Sequence, residues 1–273
     1  MTRNAGASGD SRHRDSNRSQ SGSYRRVPRL HPVMPLRLTL VRNATLVLEI
    51  EGRRILIDPA LDDAQARPPV EDTEPPLRNP LVPLPLAAER LVERLDAALV
   101  THLHRDHLDA TGERLLPRDI PVFCQPADEG RLNELGLDAR PVEDELDWDG
   151  VRVARTGGRH SLDPSVEAAL GPVSGFVLGD LYVVSDSVWC EEVATALVRW
   201  RPSVAVVNAG AARFLGSGPI SMTAADVAEV VARVPVTVAV HLEAMNHCPV
   251  TRAQLRAAVP EALVLEDGET REL

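Results

Sequence analysis

The chain has 273 residues, 44% of them hydrophobic, which suits one large globular domain, and its formal net charge of −10 argues against nucleic-acid binding driven by overall charge. Its three cysteines are odd in number and far apart, so they predict a reducing compartment, for which we expect the cytoplasm, and not a disulfide framework. No apolar run approaches the roughly 18 residues of a membrane span, so we expect no membrane partner.

Residues 1–33 are rich in Ser, Arg, Asn and Gly and lack any hydrophobic periodicity. Such a composition predicts a disordered tail, because it cannot bury enough apolar surface to offset the entropy lost on ordering. The folded domain is therefore expected over residues 34–273. Met34 directly precedes the first predicted strand, a position that suits a start of translation.

Three strands are predicted at the start of the domain, over 36–41, 45–50 and 54–57, with a tight Glu-Gly turn between the second and third. The segment 60–85 follows and contains seven prolines, so it suits neither a helix nor a sheet interior. A loop of this length in a compact domain is usually functional or disordered. We expect it either to form part of a pocket wall or to be a passive surface loop.

The segment 101–107, Thr-His-Leu-His-Arg-Asp-His, concentrates three of the eight histidines of the chain next to an aspartate. Histidine and carboxylate side chains are the ligands that zinc, manganese and iron accept. The apolar run 97–100 predicts a buried strand just before them, so they lie at a strand's carboxyl end, where open α/β sheets place their sites. The first two histidines can face one ion from an extended turn, which leaves Asp106 and His107 for a second ion.

Strands and helices alternate over the rest of the chain, and three predicted strands are each followed by a further candidate ligand: His160, Asp186 and His241. The predicted order begins with strands and continues with alternating strands and helices, and this pattern occurs twice. Such an order predicts a sandwich of two sheets with outer helices. Helices are predicted over 86–95, 127–135, 191–200, 223–234 and 252–259, and strands over 120–123, 151–154, 175–178, 181–185, 204–207, 236–240 and 262–265.

The His-Leu-His-Arg-Asp-His motif resembles that of the metallo-β-lactamase superfamily, which implies an α/β fold, a four-layer αββα sandwich, with one or two metal ions at one edge. The stretch Leu-Glu-Ile…Ile-Leu-Ile-Asp-Pro over 48–59 is similar to the branch that includes L-ascorbate-6-phosphate lactonase and N-acyl-phosphatidylethanolamine phospholipase D. Many members have Gly-His-Ala where this chain has Arg-Asn-Ala at 42–44, so any role of that histidine is absent here. The resemblance implies that one ion is held by His102, His104 and His160, a second by Asp106, His107 and His241, and that Asp186 bridges them.

Two divalent ions, zinc first and manganese as the alternative, can hold one hydroxide between them and so provide a nucleophile without a Ser or Cys. The sequence contains no G-x-S-x-G, no Walker phosphate loop and no G-x-G-x-x-G. Together with the resemblance, these observations predict a metal-dependent hydrolase that acts on an ester, lactone or phosphodiester bond of a small molecule. The inner site would carry a charge of about +1, which favours an anionic substrate.

Four residues are candidates for catalysis or substrate binding. Asp106 would act in catalysis as a ligand, and His247 could donate a proton to a leaving group, with a supporting or helix-start role equally open. Glu243 lies close to the last ligand, and Arg213 follows another strand end, so both are expected to contact substrate. Arg213 would hold an anion, and a surface ion pair is the alternative.

Two other functions stay open on the same fold. A metal-dependent redox or sulfur-transfer enzyme is one, although flavodiiron-type members use an acidic residue where this chain has His104 and also carry a flavin domain, for which no chain remains. A non-catalytic metal-binding regulatory protein is the other, and an intact set of seven candidate ligands argues against it. The sequence predicts no particular oligomeric state.

Overall fold

The computed structural model describes residues 36–273. Their strands form two seven-stranded β-sheets. The prediction of a disordered tail over 1–33 lies outside the described residues. The first half of the domain contains β1 (Arg37–Arg42), β2 (Thr45–Ile50), β3 (Arg53–Ile57), α1 (Ala88–Leu91), β4 (Ala97–Val100), α2 (Ala110–Leu115), β5 (Pro121–Cys124), a 3-10 turn (Pro126–Asp128), α3 (Glu129–Glu134) and β6 (Asp138–Pro141). The second half contains β7 (Glu145–Trp148), β8 (Val151–Gly157), α4 (Pro164–Leu170), β9 (Ser174–Leu178), β10 (Leu181–Val183), α5 (Glu191–Trp200), β11 (Val204–Asn208), α6 (Ala224–Val231), β12 (Val236–Val240), α7 (Arg252–Ala258), β13 (Leu263–Val264) and β14 (Thr270–Glu272).

Each sheet is antiparallel in one part and parallel in the other. The first has the strand order β14-β1-β2-β3-β4-β5-β6, with parallel pairing from β3 to β6. The second has the order β13-β12-β11-β10-β9-β8-β7, with parallel pairing from β10 to β13. Parallel strands of one sheet end at the same edge, so the loops that follow β10, β11 and β12 lie together at one edge of the second sheet.

The largest apolar cluster lies between the two sheets. In β2, Leu46, Leu48 and Ile50 point into it, whereas Val47 joins a second cluster beneath α1 and α3, as the two-residue period of a strand requires. A third cluster fills the space between the second sheet and the helices α5, α6 and α7. Both faces of the two sheets are therefore covered, and the predicted α/β sandwich of two sheets with helices is confirmed.

The structure differs from the predicted elements mainly at sheet edges and loops. The helix expected over 86–95 is limited to Ala88–Leu91, and Arg94 just beyond it has a left-handed φ of 55°. The strands β6 and β7 were not predicted, because their short sequences Asp-Ala-Arg-Pro and Glu-Leu-Asp-Trp are charged or contain proline. Both are the last strand of their sheet, where such residues are tolerated. Within residues 36–273, the longest apolar helix falls short of what crossing a membrane would require.

Arg42, the last residue of β1, ties both ends of the proline-rich loop to the first sheet. Its side chain is fully buried, and its guanidinium donates to the carbonyl oxygens of Ala60 at 2.8 Å, Asp62 at 3.0 Å and Val82 at 3.1 Å. The loop is thus fixed where it leaves and where it re-enters the sandwich. This role was not evident from the sequence, because Arg42 and Val82 are 40 residues apart.

We expect Arg42→Leu to lower the free energy of unfolding by about 3 kcal/mol, because it removes three hydrogen bonds from a charged donor and leaves buried carbonyl groups without partners. Arg37 lies on the same strand, and its exposed pair with Glu49 makes Arg37→Leu a matched control with an expected cost below about 1 kcal/mol. Urea unfolding of both variants measures the difference. Equal losses in the two variants would show that Arg42 contributes no more than a surface arginine.

Candidate metal centre

Two groups of histidine and aspartate side chains meet at the edge where β4, β8, β10 and β12 end. Within each group, all the ligand atoms lie within 4.8 Å of one another, and Asp186 belongs to both groups. The structure thereby brings together all seven residues that were predicted as metal ligands. The first group is His102, His104, His160 and Asp186, and the second is Asp106, His107, Asp186 and His241.

Strand direction explains how distant residues converge here. β8 pairs antiparallel with β9, and β9 antiparallel with β10, so β8 and β10 end at the same edge and carry His160 and Asp186 to it. His241 follows β12 and takes a left-handed backbone conformation with φ of 63°. Its N–H donates to the carbonyl of Asn43 at 2.9 Å, which supports this unfavourable conformation.

Unpartnered ring nitrogens show that the two groups fit metal ions. Both ring nitrogens of His160 are buried and have no hydrogen-bond partner among the described residues. The Nε2 of His107 lies 3.2 Å from a carboxylate oxygen of Asp186 but has no hydrogen-bond geometry. Buried polar atoms are nearly always satisfied, so these unpartnered nitrogens fit a role as metal ligands, with one nitrogen of each ring facing an ion. Imidazole and carboxylate ligands in these combinations suit divalent ions such as zinc, manganese or iron.

The two aspartates carry full negative charge. Burial alone would raise the pKa of Asp186, but the charges of His241 and His107 hold that pKa well below its usual value. Burial would also raise the pKa of Asp106. The hydrogen bond from His241 and the charges of neighbouring imidazoles outweigh burial and hold this pKa well below its usual value. Both carboxylates are therefore available as anionic ligands at neutral pH.

The histidines divide into two kinds. Burial lowers the pKa of His102 well below its usual value and that of His160 to about 4, so both rings are neutral with a free lone pair. Burial acts in the same direction on His107, but the charges of Asp186 and Asp58 outweigh it and raise its pKa to about 10. A metal ion bound by His107 must therefore displace a proton.

Asp58 orients one of the histidines and was missed as a functional residue in the sequence. Its buried carboxylate accepts a hydrogen bond from Nδ1 of His107 at 2.7 Å, and from the backbone N–H and the hydroxyl of Thr101 at 2.8 and 2.9 Å. This arrangement directs Nε2 of His107 toward the centre. The available sequence signal was an aspartate at the end of a buried strand, before Pro59.

Three further contacts hold other ligands in place. Nε2 of His104 lies 3.0 Å from the carbonyl of Leu170, which can only accept, so Nε2 carries the proton and Nδ1 is free to bind metal. Asn208 donates from Nδ2 to Asp186 at 2.6 Å. Nδ1 of His241 lies 3.3 Å from Sγ of Cys248. Such partners fix the orientation of metal ligands.

A cavity of about 720 Å³ opens onto the two groups. The proline-rich loop forms one of its walls, so the loop is more than a passive surface segment. The cavity floor includes His104, Asp106, Asp186 and His247. The remaining lining residues are mostly apolar: Ala66, Pro68, Pro69, Val70, Ala110, Leu170, Phe214, Ile220 and Met245, with Asp62, Arg67, Asn79 and Arg105.

The structure brings His247 to the cavity but not the two residues expected to bind substrate. Nε2 of His247 lies 3.8 Å from Asp106. Arg213 is exposed and lies outside the cavity lining. Glu243 also lies outside the lining, and its carboxylate accepts from the backbone N–H of Arg252 at 2.9 Å and from its guanidinium at 2.7 Å. The turn after β12 thus directs Glu243 toward α7, and a substrate contact by Glu243 or Arg213 stays a prediction.

A family model described as “Beta-lactamase superfamily domain” matches residues 53–242, more than half of the chain. The chain belongs to this superfamily, and its fold and metal-ligand groups define it as a metal-dependent hydrolase of the metallo-β-lactamase type. UPF0173 protein YddR of Bacillus subtilis is 31% identical over 251 residues, which cover 86% of this chain and 99% of that protein. The alternative of a non-catalytic regulatory protein is thereby set aside.

Two solved structures are also similar to the chain. A possible metal-dependent hydrolase from Veillonella parvula has a TM-score of 0.83 and 33% sequence identity, and the match covers 88% of this chain and 100% of that one. An isothiocyanate hydrolase from Delia radicum gut bacteria has a TM-score of 0.80 and 34% identity, with 87% and 99% covered. The assignment to the lactonase-like branch stays a prediction.

Proposed function

We propose that this hydrolase binds two divalent ions, zinc first and manganese as the alternative, and cleaves a small neutral substrate that carries an apolar group. The observation that carries the proposal is a cavity with two sets of metal ligands at its floor and mainly apolar residues in its walls. The apolar walls support binding of an alkyl or aryl group, because ligand cavities use such surfaces for affinity and a few polar groups for orientation.

The seven ligands would hold the ions in two sets that share one carboxylate. When bound, divalent ions at such a site supply Lewis acidity and, at neutral pH, a nucleophile from water. Asp186 faces both sets, since one of its carboxylate oxygens lies 3.9 Å from Nε2 of His102 in the first set and 3.2 Å from Nε2 of His107 in the second. We assign one ion to His102, His104, His160 and Asp186, and the other to Asp106, His107, Asp186 and His241.

His247 is the proposed proton donor to the leaving group. It lines the cavity floor beside Asp106, and its Nδ1 is buried without a hydrogen-bond partner among the described residues. An imidazole on the cavity floor would be placed to donate a proton to a departing atom of a substrate bound there. Its role is distinct from that of the seven ligands, because it belongs to neither ligand group.

The walls favour a neutral substrate over the anionic one expected from the sequence. That expectation depended on the charge of the inner site and on Arg213, and Arg213 is exposed and outside the lining. The two arginines that do line the cavity each face a carboxylate, Arg67 that of Asp62 at 3.3 Å and Arg105 that of Glu113 at 3.0 Å, although Nε and Nη2 of Arg67 have no hydrogen-bond partner among the described residues. Of the proposed bonds, carboxylic esters and lactones with an apolar acyl group therefore fit better than phosphodiesters.

A second candidate reaction is the hydrolysis of an isothiocyanate. It is favoured by the apolar cavity and by 34% identity to a protein described as an isothiocyanate hydrolase. An isothiocyanate has an electrophilic carbon next to an apolar group, and the addition of one water releases an amine and carbonyl sulfide. Both candidate reactions would use the metal ligands at the cavity floor and the apolar residues of the cavity wall. They therefore differ in the bond that is cleaved and not in the site.

Metal analysis combined with a substrate panel tests the proposal. The purified protein is expected to hold close to two divalent ions, and chelation should remove activity in proportion to the metal lost, with recovery when zinc or manganese is restored. The panel consists of phenyl and alkyl esters, aliphatic lactones, bis(4-nitrophenyl) phosphate and phenethyl isothiocyanate. Full activity in metal-free protein, or activity confined to the phosphodiester, would contradict the proposal.

A proton-donor role for His247 predicts a loss that depends on the leaving group. His247→Gln should lower kcat about tenfold more for alkyl esters, whose alkoxide leaves poorly, than for 4-nitrophenyl esters, whose anion leaves without protonation. Steady-state kinetics on one acyl group with the two alcohols measures this ratio. Equal losses for both esters would assign His247 a supporting role only.

The expected compartment stays the cytoplasm. The three cysteines, Cys124, Cys190 and Cys248, are buried and free, which supports a protein that works under reducing conditions. The expected partner is a small-molecule substrate that enters through the cavity.

A further inference from the structure

A buried asparagine, Asn246, contacts the middle of the proline-rich loop that forms one wall of the cavity, whereas Arg42 holds the two ends of that loop. Asn246 lies between Met245 and His247, both of which line the cavity. It contacts the loop at several points, although more than 160 residues separate the two in sequence. Neither the ligand groups nor the proposed proton donor accounts for this residue.

Every polar atom of the Asn246 side chain is used in this contact. Oδ1 accepts from the backbone N–H of Val70 at 3.2 Å and from the amide of Asn79 at 2.7 Å. Nδ2 donates to the hydroxyl of Thr73 at 2.6 Å and to the carbonyl of Pro75 at 2.9 Å. The backbone N–H of Asn246 in turn donates to Oδ1 of Asn79 at 2.9 Å.

The network is buried and fully satisfied, which makes it a rigid connection. Asn246 and Asn79 are each 2% exposed and Thr73 is 7% exposed. Buried networks in which every donor and acceptor is paired hold one defined geometry, whereas the loss of one member leaves several groups unsatisfied. Its seven prolines stiffen the loop, so fixing its middle fixes the wall as a unit.

The network connects the apolar wall to the metal-binding floor. On the loop side it holds Val70, which lines the cavity together with Pro68 and Pro69. On the other side, the chain from Asn246 leads through His247 to the ligand segment after β12. The distance between wall and floor, and with it the width available to a substrate group, therefore depends on Asn246.

We propose that Asn246 is a positioning residue that sets the selectivity of the cavity for an alkyl or aryl group, by fixing the wall formed by residues 66–70 relative to the metal centre. This inference rests on the proposed function, because it concerns the apolar group of the same substrate. Asn246 acts through the loop, since it is not among the residues that line the cavity.

The test uses metal-loaded protein and two hydroxamates that differ only in their apolar group, acetohydroxamate and 3-phenylpropionohydroxamate. Both can bind the metal centre, so the ratio of their Kd values reports the contribution of the apolar wall alone. The wild-type protein is expected to prefer the phenyl compound by at least about tenfold. In Asn246→Ala this ratio should fall below about threefold, while the Kd of acetohydroxamate stays within about twofold.

A second variant keeps the test decisive if Asn246→Ala folds poorly. In Thr73→Val the valine side chain has nearly the same shape as threonine but cannot accept the hydrogen bond from Nδ2 of Asn246. This variant should also lower the ratio of the two Kd values. Hydrogen exchange of the amides in 65–81 should accelerate in both variants. Thr223→Ala is the control for general stability, because it removes the N-terminal cap of α6 without touching the loop. The control should leave the ratio unchanged.

The outcomes separate the inference from the proposed function. A wild-type ratio close to one, or an unchanged ratio in Asn246→Ala and Thr73→Val, would overturn the role of Asn246. A clear wild-type preference that both variants lose supports this role, whether or not any ester, lactone or isothiocyanate is hydrolysed. The absence of hydrolysis for every substrate of the panel would reject the proposed function alone.

Discussion

Asp186→Asn is expected to remove bound metal and lower kcat/KM by about a thousandfold or more. Asp186 is the only residue shared by the two ligand groups of the described chain, and its carboxylate lies 3.9 Å from Nε2 of His102 in one group and 3.2 Å from Nε2 of His107 in the other. The substitution keeps the shape but removes the negative charge. It also places an amide N–H where one of the two sets requires a lone pair, so at least one ion is lost.

Elemental analysis and steady-state kinetics on the same preparation measure both effects. Asp138→Asn is a matched control, because Asp138 is a partly exposed carboxylate on the edge strand β6 that forms an ion pair with Arg140. We expect the control to retain its metal and its activity. Full metal content in Asp186→Asn, with activity close to wild type, would contradict the assignment of Asp186 as the shared ligand.

The metal site could be predicted from the sequence because its ligands follow apolar strands directly. His102 and His104 come just after the buried run Ala97–Val100, and Asp186 and His241 follow β10 and β12 closely. Adjacency to a strand end is a local property of the sequence. The parallel pairing of those strands then determines which ends meet.

The residues that support the site were missed because they act across long stretches of chain. Arg42 bonds to Val82, 40 residues away, and Asn246 bonds to Asn79, 167 residues away. Nothing in the local pattern around them indicates a partner. Their roles depend on the path of the proline-rich loop, which carries no hydrophobic periodicity from which its conformation could be predicted.

Adjacency to a ligand or a strand end did not place Glu243 or Arg213 in the cavity lining. Glu243 is two residues from His241, but both residues have left-handed backbone angles, with φ of 61° and 63°, so the chain turns and sends Glu243 to Arg252. Arg213 follows β11 after a further turn and is exposed. Side-chain direction in a loop depends on such turns, and a single sequence contains no clear signal for them.

Asp58→Asn is expected to weaken metal binding by about 10- to 100-fold, although Asp58 belongs to neither ligand group. In the wild type, the carboxylate accepts the proton on Nδ1 of His107 at 2.7 Å, so Nε2 is the nitrogen from which a metal ion displaces a proton. The same carboxylate accepts from the backbone N–H of Thr101 at 2.8 Å. The oxygen of an asparagine can satisfy Thr101, but its NH₂ group would then face Nδ1 of His107.

The amide NH₂ group and a protonated Nδ1 of His107 are both donors and cannot bond to each other. The variant therefore favours the tautomer of His107 with its proton on Nε2, which is the nitrogen that would bind a metal ion. Competition with a chelator of known affinity should show the weaker binding, and activity should recover in part at high concentrations of zinc or manganese, because the ligands themselves are intact. Asp96→Asn is the matched control, since Asp96 also accepts from a backbone N–H, that of Arg54 at 2.8 Å, but lies just before β4, at the opposite end from the metal centre. An unchanged metal affinity in Asp58→Asn, equal to that of the control, would show that packing alone orients His107 and that its tautomer does not depend on the charge of Asp58.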